Sequence, residues 1–317
     1  MPNQMEFADQ DISGTTNNKT FKIRKKTVQF LILTNSVTPS IEETLLALYN
    51  KGDSRSVHHL INREGHQDQF AAEKTIISFT SGTSSFRGNT SLNETAVHVM
   101  LLNTGSEAYT QEQKDKLVAF LKDFRIRHSE IDLKINLLGL GEVATSIGDV
   151  ANNEKQTLTE GEGTIFPRHQ APGKIFWQEM VKELAEQGFG LFIETTSEQK
   201  NTVCVSTASS TREITDLQNQ LREYGYALQT SGHYDEATKA WVTRFNQRYV
   251  PDATLDDSIW SEASQINLDN IVNFISAKTH KVTQSSVSRS DFFTANAPVA
   301  NTDEVDTQQQ LASLVLK

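Results

Sequence analysis

Histidines and carboxylates are the groups in this 317-residue chain able to hold a metal or move a proton. The single cysteine, Cys204, excludes an internal disulfide framework and a cysteine-rich zinc site. No Gly-x-Ser-x-Gly stretch is present to set a serine nucleophile on a strained turn. Nitrogen and oxygen donors stand at His58, His98, Glu142 and His169. His98 precedes Met100 by two positions in the run Ala96-Val97-His98-Val99-Met100-Leu101-Leu102, whose strand character puts both side chains on one face. Read for structure alone, His98 is a partly buried strand histidine, His58 a hydrogen-bonded structural one and Glu142 a solvated loop carboxylate. Arg87 can pair with a carboxylate, and a solvated arginine is its plainer role. Tyr224, Tyr226, Tyr234, Trp241, Phe245 and Tyr249 offer faces that bind sugar or peptide groups at little ordering cost. Their spacing makes most of them core, leaving Tyr226 and Tyr234, beside turn glycines, as the expected ligand contacts.

The elements that must position these groups alternate. Residues 27–33 have the apolar, β-branched content of a buried strand, and Pro39 followed by Ser40-Ile41-Glu42-Glu43 opens a helix with Leu45, Leu46, Leu48 and Tyr49 along one face. Residues 56–61 and 75–79 are short strand candidates, with Asn62-Arg63-Glu64-Gly65 suited to a hairpin turn between them. Residues 80–93 predict a long surface loop. Thr110 with Gln113 has capping-box spacing, and Leu117, Val118, Phe120, Leu121 and Phe124 make a continuous helical stripe. A strand over 134–138, a polar loop over 148–163 and a helix from about Lys174 to Gln187, stopped at Gly188, follow. This alternation predicts α/β with one mixed central sheet flanked by helices, then a small all-α domain.

The expected divisions are a disordered leader over 1–20, a main domain over 21–194, a Ser/Thr-rich linker over 195–211, a helical module over 212–275 and a disordered tail over 276–317. With 40 acidic against 30 basic residues and a formal charge of −10, the chain offers no footprint for a nucleic-acid backbone or an anionic membrane surface. Its longest apolar runs fall short of the roughly 20 residues that span a bilayer. The first residues are polar and lack the apolar core of a secretory signal, so the location expected is the cell envelope by another export route, or else the cytoplasm.

Across 27–192 the motifs resemble those of the zinc-dependent N-acetylmuramoyl-L-alanine amidases of the type-2 fold, which is shared with peptidoglycan recognition proteins. The similarity lies in the order and spacing of His58-His59-Leu60-Ile61, Phe86-Arg87-Gly88, Leu92-Asn93, Ala96-Val97-His98-Val99-Met100, Tyr109-Thr110-Gln111-Glu112-Gln113, Leu138-Gly139-Leu140-Gly141-Glu142 and Arg168-His169-Gln170-Ala171-Pro172-Gly173. Across 214–274, Leu217-Gln218, Leu221, Tyr224-Gly225-Tyr226, Gly232, Tyr234-Asp235, Thr238, Phe245 and Tyr249 are similar to a peptidoglycan-binding repeat, with Asn246 where that repeat has glutamine.

The resemblance implies three zinc ligands, a glutamate that handles protons and a lysine or histidine that supports the oxyanion. The ligand positions fall on Thr34, Leu140 and Ala171, the glutamate on Met100 and the oxyanion support on His169. Leucine and alanine carry no donor atom, and methionine cannot accept a proton, so no zinc and no catalysis are expected. The protein expected is a non-hydrolytic one that binds peptidoglycan or muropeptides as a wall-associated or regulatory component. Phe86, Arg87 and Asn93 would border its vestigial cleft, with Arg87 on a stem-peptide carboxylate. One alternative is an active amidase whose zinc has moved to His98, Glu142 and His169. Another is an interaction protein that does not bind the wall and recruits protein partners through its tails.

Overall fold

The computed structural model describes residues 21–49, 56–148 and 164–295. After β1 (Phe21–Ile23) comes β2 (Phe30–Asn35), buried at every position. A strand so apolar on both faces needs cover on both. Five further strands, β3 (His59–Ile61), β4 (Gln67–Gln69), β5 (Ile76–Ser78), β6 (Ser85–Phe86) and β7 (Asn89–Thr90), precede β8 (Ala96–Leu101) and β9 (Leu137–Gly139). The central sheet has the order β4-β3-β8-β2-β9, with β4 antiparallel to β3 and the other pairings parallel. It is the mixed sheet that the alternation predicts.

Helix α1 (Ile41–Tyr49) follows β2, and α2 (Gln111–Arg127), α3 (Leu133–Asn136), α4 (Leu140–Val143) and α5 (Lys174–Glu186) follow β8. Thr110 caps α2 as expected, its hydroxyl accepting from the Gln113 N–H at 3.2 Å. Alternate residues of the strands then divide between two faces. Leu31, Leu33, Val97, Val99 and Leu101 enter one core with Leu117, Phe120, Leu121 and Phe124 of α2 and Phe176, Trp177, Met180 and Leu184 of α5. The opposite face carries Thr34, His98 and Met100. There Met100 packs with Val57, Leu60 and Leu102 under Ile41, Leu48 and Phe70. Leu46, placed with the apolar face of α1 by its spacing, instead faces solvent.

Several local expectations change. Asn62 to Gly65 does form a hairpin turn, but it joins β3 to β4, while β5 pairs with β1. Gly65 is required there, since its φ is +75° and a Cβ would stand 2.8 Å from the Glu112 carbonyl oxygen. The stretch 80–93 is not a surface loop throughout, because it holds the β6–β7 hairpin and buries Ser81, Ser84, Phe86, Leu92 and Asn93. The strand expected over 134–138 starts as α3, capped by the Asp132 carboxylate accepting from the Lys134 N–H, and becomes extended only at Leu137.

The hairpin β10 (Thr145–Gly148) and β11 (Thr164–Pro167) flanks a polar segment whose residues 149–163 lie outside the described ones. Beyond α5 come α6 (Ser197–Asn201), β12 (Val203–Val205), α7 (Thr211–Tyr224), α8 (Glu236–Tyr249), β13 (Trp260–Ser261) and α9 (Glu262–Ala295). The stretch expected as a linker is thus built structure: Thr196 and Ser210 cap helices, and β12 pairs with β13. Cys204 sits in that strand, exposed. The chain up to Val272 forms one compact unit and the chain from Asn273 a second. The tail expected from residue 276 continues as helix to Ala295, while 1–20 and 296–317 lie outside the described residues. Among the described residues no helix is long and apolar enough to cross a membrane.

Candidate functional site

The positions singled out for catalysis gather at one end of the sheet. Thr34 and Met100 are register partners on β2 and β8, and Leu33 is the partner of Gly139, after which Leu140 opens α4. Ala171 joins them through its carbonyl, which accepts from the Gly141 N–H at 2.7 Å. They stand at the carboxyl ends of the parallel strands, the end at which open α/β sheets bind ligands. The side chains present there are largely inert. Thr34 is buried and its hydroxyl donates to the Asn35 carbonyl at 3.3 Å. Leu140 is buried, Met100 belongs to the apolar cluster beneath α1, and His169 lies exposed on the loop that carries Ala171.

A hydrogen-bonded chain of histidines and serines lies on the same face as Met100. The His98 backbone N–H donates to His58 Nδ1 at 3.0 Å, and His58 Nε2 stands 3.0 Å from the Ile76 carbonyl and 3.1 Å from Arg24 Nη2. The Ser78 hydroxyl lies 2.9 Å from His58 Nδ1 and 2.8 Å from His98 Nδ1. His98 Nε2 is hydrogen-bonded to the Ser81 hydroxyl at 2.6 Å. Ser78 thus bridges the two rings, and either tautomer of His98 satisfies both serines, since a hydroxyl can donate or accept. Burial pushes His58 down to about 3, with the Arg24 charge acting in the same direction, and holds His98 well below the usual histidine range. Both rings are neutral structural links, and His98 is wholly buried, where its spacing predicted partial burial.

Glu142 departs furthest from its expected place as a solvated loop carboxylate. It is buried, with Oε2 accepting from Arg248 Nη1 at 2.5 Å and from the Gly139 N–H at 2.7 Å, and Oε1 accepting from the Tyr224 hydroxyl at 2.6 Å. Arg248 also donates to the Leu137 carbonyl at 2.8 Å and lies over the Trp177 ring. Burial opposes its charge, yet Glu142 keeps the guanidinium firmly protonated. The set His98, Glu142 and His169 is thus not assembled: two members are committed to separate networks and the third is on an exposed loop. Among the described residues no group of three or more His, Cys, Asp or Glu side chains is placed to hold a metal ion.

Of the five expected ligand contacts, Phe86, Arg87 and Tyr226 meet at the seam between the β6–β7 hairpin and the helices of 211–272, while Asn93 and Tyr234 make their contacts on either side of it. Phe86 is fully buried and meets Phe30, Tyr224 and Tyr226 edge-on. Arg87 donates through Nε to the Tyr224 carbonyl at 2.9 Å and through Nη1 to Asn136 Oδ1 at 3.2 Å. Asn93 accepts from the Ser81 N–H at 2.9 Å. Tyr226 stacks on Trp241, and Tyr234 is buried with its hydroxyl donating to the Ser258 carbonyl at 2.8 Å. Gly225 is required between these layers, because a Cβ would meet Arg87 Cγ at 2.7 Å and the Phe86 ring at 2.9 Å. Sequence reasoning passed over Arg24, Ser78, Ser81 and Arg248, whose roles depend on partners far along the chain.

No family model matches the sequence. An N-acetylmuramoyl-L-alanine amidase assigned in Rickettsia conorii is 35% identical over 246 residues, covering 76% of this chain and 83% of that protein. The fold is similar to that of AmiD from E. coli, solved with anhydro-N-acetylmuramic acid-L-Ala-D-γ-Glu-L-Lys, at a TM-score of 0.58 and 19% identity over 78% of this chain and 89% of the other. AmpDh3 from Pseudomonas aeruginosa, solved with an anhydromuramic pentapeptide, gives 0.56 and 17% over 84% and 96%. A mixed sheet flanked by helices defines the class. The chain belongs to the N-acetylmuramoyl-L-alanine amidase family.

Proposed function

We propose that this chain is a non-hydrolytic member of its family that binds peptidoglycan or muropeptides, as a wall-associated or regulatory component. Its ligands would be molecules of the kind solved with AmiD, a muramic sugar carrying an L-Ala-D-γ-Glu-L-Lys stem. The observation that carries the reading is Met100, which fills the position implied for the proton-handling glutamate and is packed among Val57, Leu60 and Leu102. A catalytic zinc takes three protein donors, commonly imidazole or carboxylate. Thr34, Leu140 and Ala171 supply one neutral hydroxyl between them, so the residues present do not fit the ion. The likeness of 214–274 to a peptidoglycan-binding repeat supports retention on the wall without catalysis.

The test is zinc content of protein purified without added metal, together with stem-peptide release from sacculi and retention on them. Retention without zinc or released peptide is the expected result. Stoichiometric zinc with released peptide would establish an active amidase, and absence of retention a protein that works through other partners.

A further inference from the structure

Glu73, shortly before β5, is a buried carboxylate that gathers side chains from β3 and from the end of α2. Its Oε1 accepts from His59 Nε2 and its Oε2 from His128 Nε2, each at 2.8 Å, and Arg127 donates to the two oxygens at 2.8 and 3.2 Å. Burial opposes this charge, but the bonds from His128, His59 and Arg127 hold the carboxyl below its usual range. An ionised carboxylate only accepts, so each histidine turns an Nε2 proton towards it.

The second ring nitrogens differ. His59 Nδ1 stands 3.2 Å from Gln67 Nε2, whereas His128 Nδ1 is buried with no hydrogen-bond partner among the described residues. It faces the Glu130 carboxylate across 3.6 Å. In a neutral ring that atom is a bare lone pair turned towards an anion, and a proton on it would make it a donor to that anion. Two further features favour a cation there. His128 is the C-cap of the 17-residue α2, its N–H donating to the Phe124 carbonyl at 2.9 Å, and the carbonyl end of a helix attracts positive charge. Its ring also stacks on Phe124 with centroids 4.3 Å apart, and an aromatic face attracts a cation. Against it stand Arg127, already paired with Glu73, Lys74 beside them, and Arg24, which donates to the Glu73 carbonyl at 3.0 Å.

We propose that His128 is a proton-operated latch at the end of α2: on taking a second proton, at Nδ1, its ring binds Glu130 in the following turn, and its existing bond to Glu73 becomes charged on both sides. Hydrogen bonds with both partners ionised are the stronger kind, so the helix end is held more firmly to the segment before β5. The sign is opposite to that of His58 and His98, which burial keeps neutral. The folded chain offers the added proton two carboxylates that the unfolded chain does not. The contribution is therefore present in mild acid, while Glu130 is still ionised, and is lost as rising pH removes the proton.

The experiment compares urea unfolding of the full chain with that of Glu130→Gln, a change at an exposed side chain, at pH values of about 5.5 and 8. Glu130 is a carboxylate at both, and the acid response of His58 and His98 is common to the two proteins and cancels. The ratio of unfolding constants, variant over wild type, is expected to be roughly two- to fivefold larger at the lower pH, the range of an exposed ion pair. Nitrogen-15 spectra of the His128 ring, assigned through the backbone, should show Nδ1 gaining a proton between the higher and the lower pH while Nε2 keeps its own. The same ratio at both pH values, or an Nδ1 in one state throughout, would overturn the proposal. Neither readout involves wall binding or hydrolysis, so the outcome is separate from that of the reading above.

Discussion

Arg248 Nη1 stands 2.5 Å from Glu142 Oε2, and each side chain is only 3% exposed. The pair joins α8 to the short helix after β9, across 106 residues of sequence. Two charges removed from water are stable only when closely paired and further hydrogen-bonded. Tyr224, Gly139 and Leu137 supply those extra bonds, so the helices of 211–272 are tied to the sheet by a network that cannot be solvated in part.

Glu142→Ala and Arg248→Ala are each expected to lower stability by about 3–5 kcal/mol, because each leaves an uncompensated buried charge. The wild type should lose sheet and helical signals in a single denaturant transition, since both belong to the same compact unit. Far-ultraviolet circular dichroism and tryptophan fluorescence, with Trp177 and Trp241 on the two sides of the seam, are the probes.

Met100→Glu is expected to destabilise the fold without conferring hydrolysis. Its carboxylate would lie among Val57, Leu60 and Leu102, and an unpaired buried polar group costs on the order of 1–3 kcal/mol, more when charged. Burial raises such a carboxyl above its value in the unfolded chain. The penalty should therefore be smallest at low pH and grow as pH rises through the raised value. Denaturant midpoints of the variant and wild type between pH 4.5 and 8, numbers of about the usual carboxylate range and above, measure the difference.

The His58–Ser78–His98 chain predicts acid sensitivity. Folded His58 is lowered to about 3 from an ordinary 6.5, and His98 is lowered in the same direction, so the unfolded chain binds more protons at intermediate pH. Stability from these rings is complete above 6.5 and declines as pH falls below it, by up to about 1.4 kcal/mol per pH unit for each ring. Proton uptake on unfolding at pH values of about 5 to 6 should appear in calorimetry with buffers of different ionisation enthalpy. His98→Gln should take up less.

Phe86→Ala removes a fully buried ring that contacts Phe30, Tyr224 and Tyr226. A loss of about 3–5 kcal/mol is expected, as for large cavities in packed cores. A loss below 1 kcal/mol, roughly the scale of a surface change, in chemical denaturation would contradict the seam as described.

Periodicity and caps carried much of the architecture. The buried run in β2, the Thr110 cap and the α2 stripe are local signals whose meaning does not depend on distant partners. Strand pairing was less legible: a turn at Asn62 to Gly65 specifies a hairpin, but not that its second strand is the polar Gln67–Gln69. Residues 195–211 look like a linker in composition, yet their Ser and Thr residues serve as helix caps and Val203 and Val205 pair with β13.

By itself the sequence determined which side chains can act as donors, and that Thr34, Met100 and Leu140 lie in or just after runs able to form buried strands. Chemical identity and strand alternation are properties of the chain at short range. Only the tertiary structure decided what those groups touch. It set Glu142 against Arg248, closed His58 and His98 through Ser78, and brought Arg87 beside Arg222 and Glu223. A charge or an imidazole takes its role from partners and burial, and these are fixed by contacts between residues far apart in sequence.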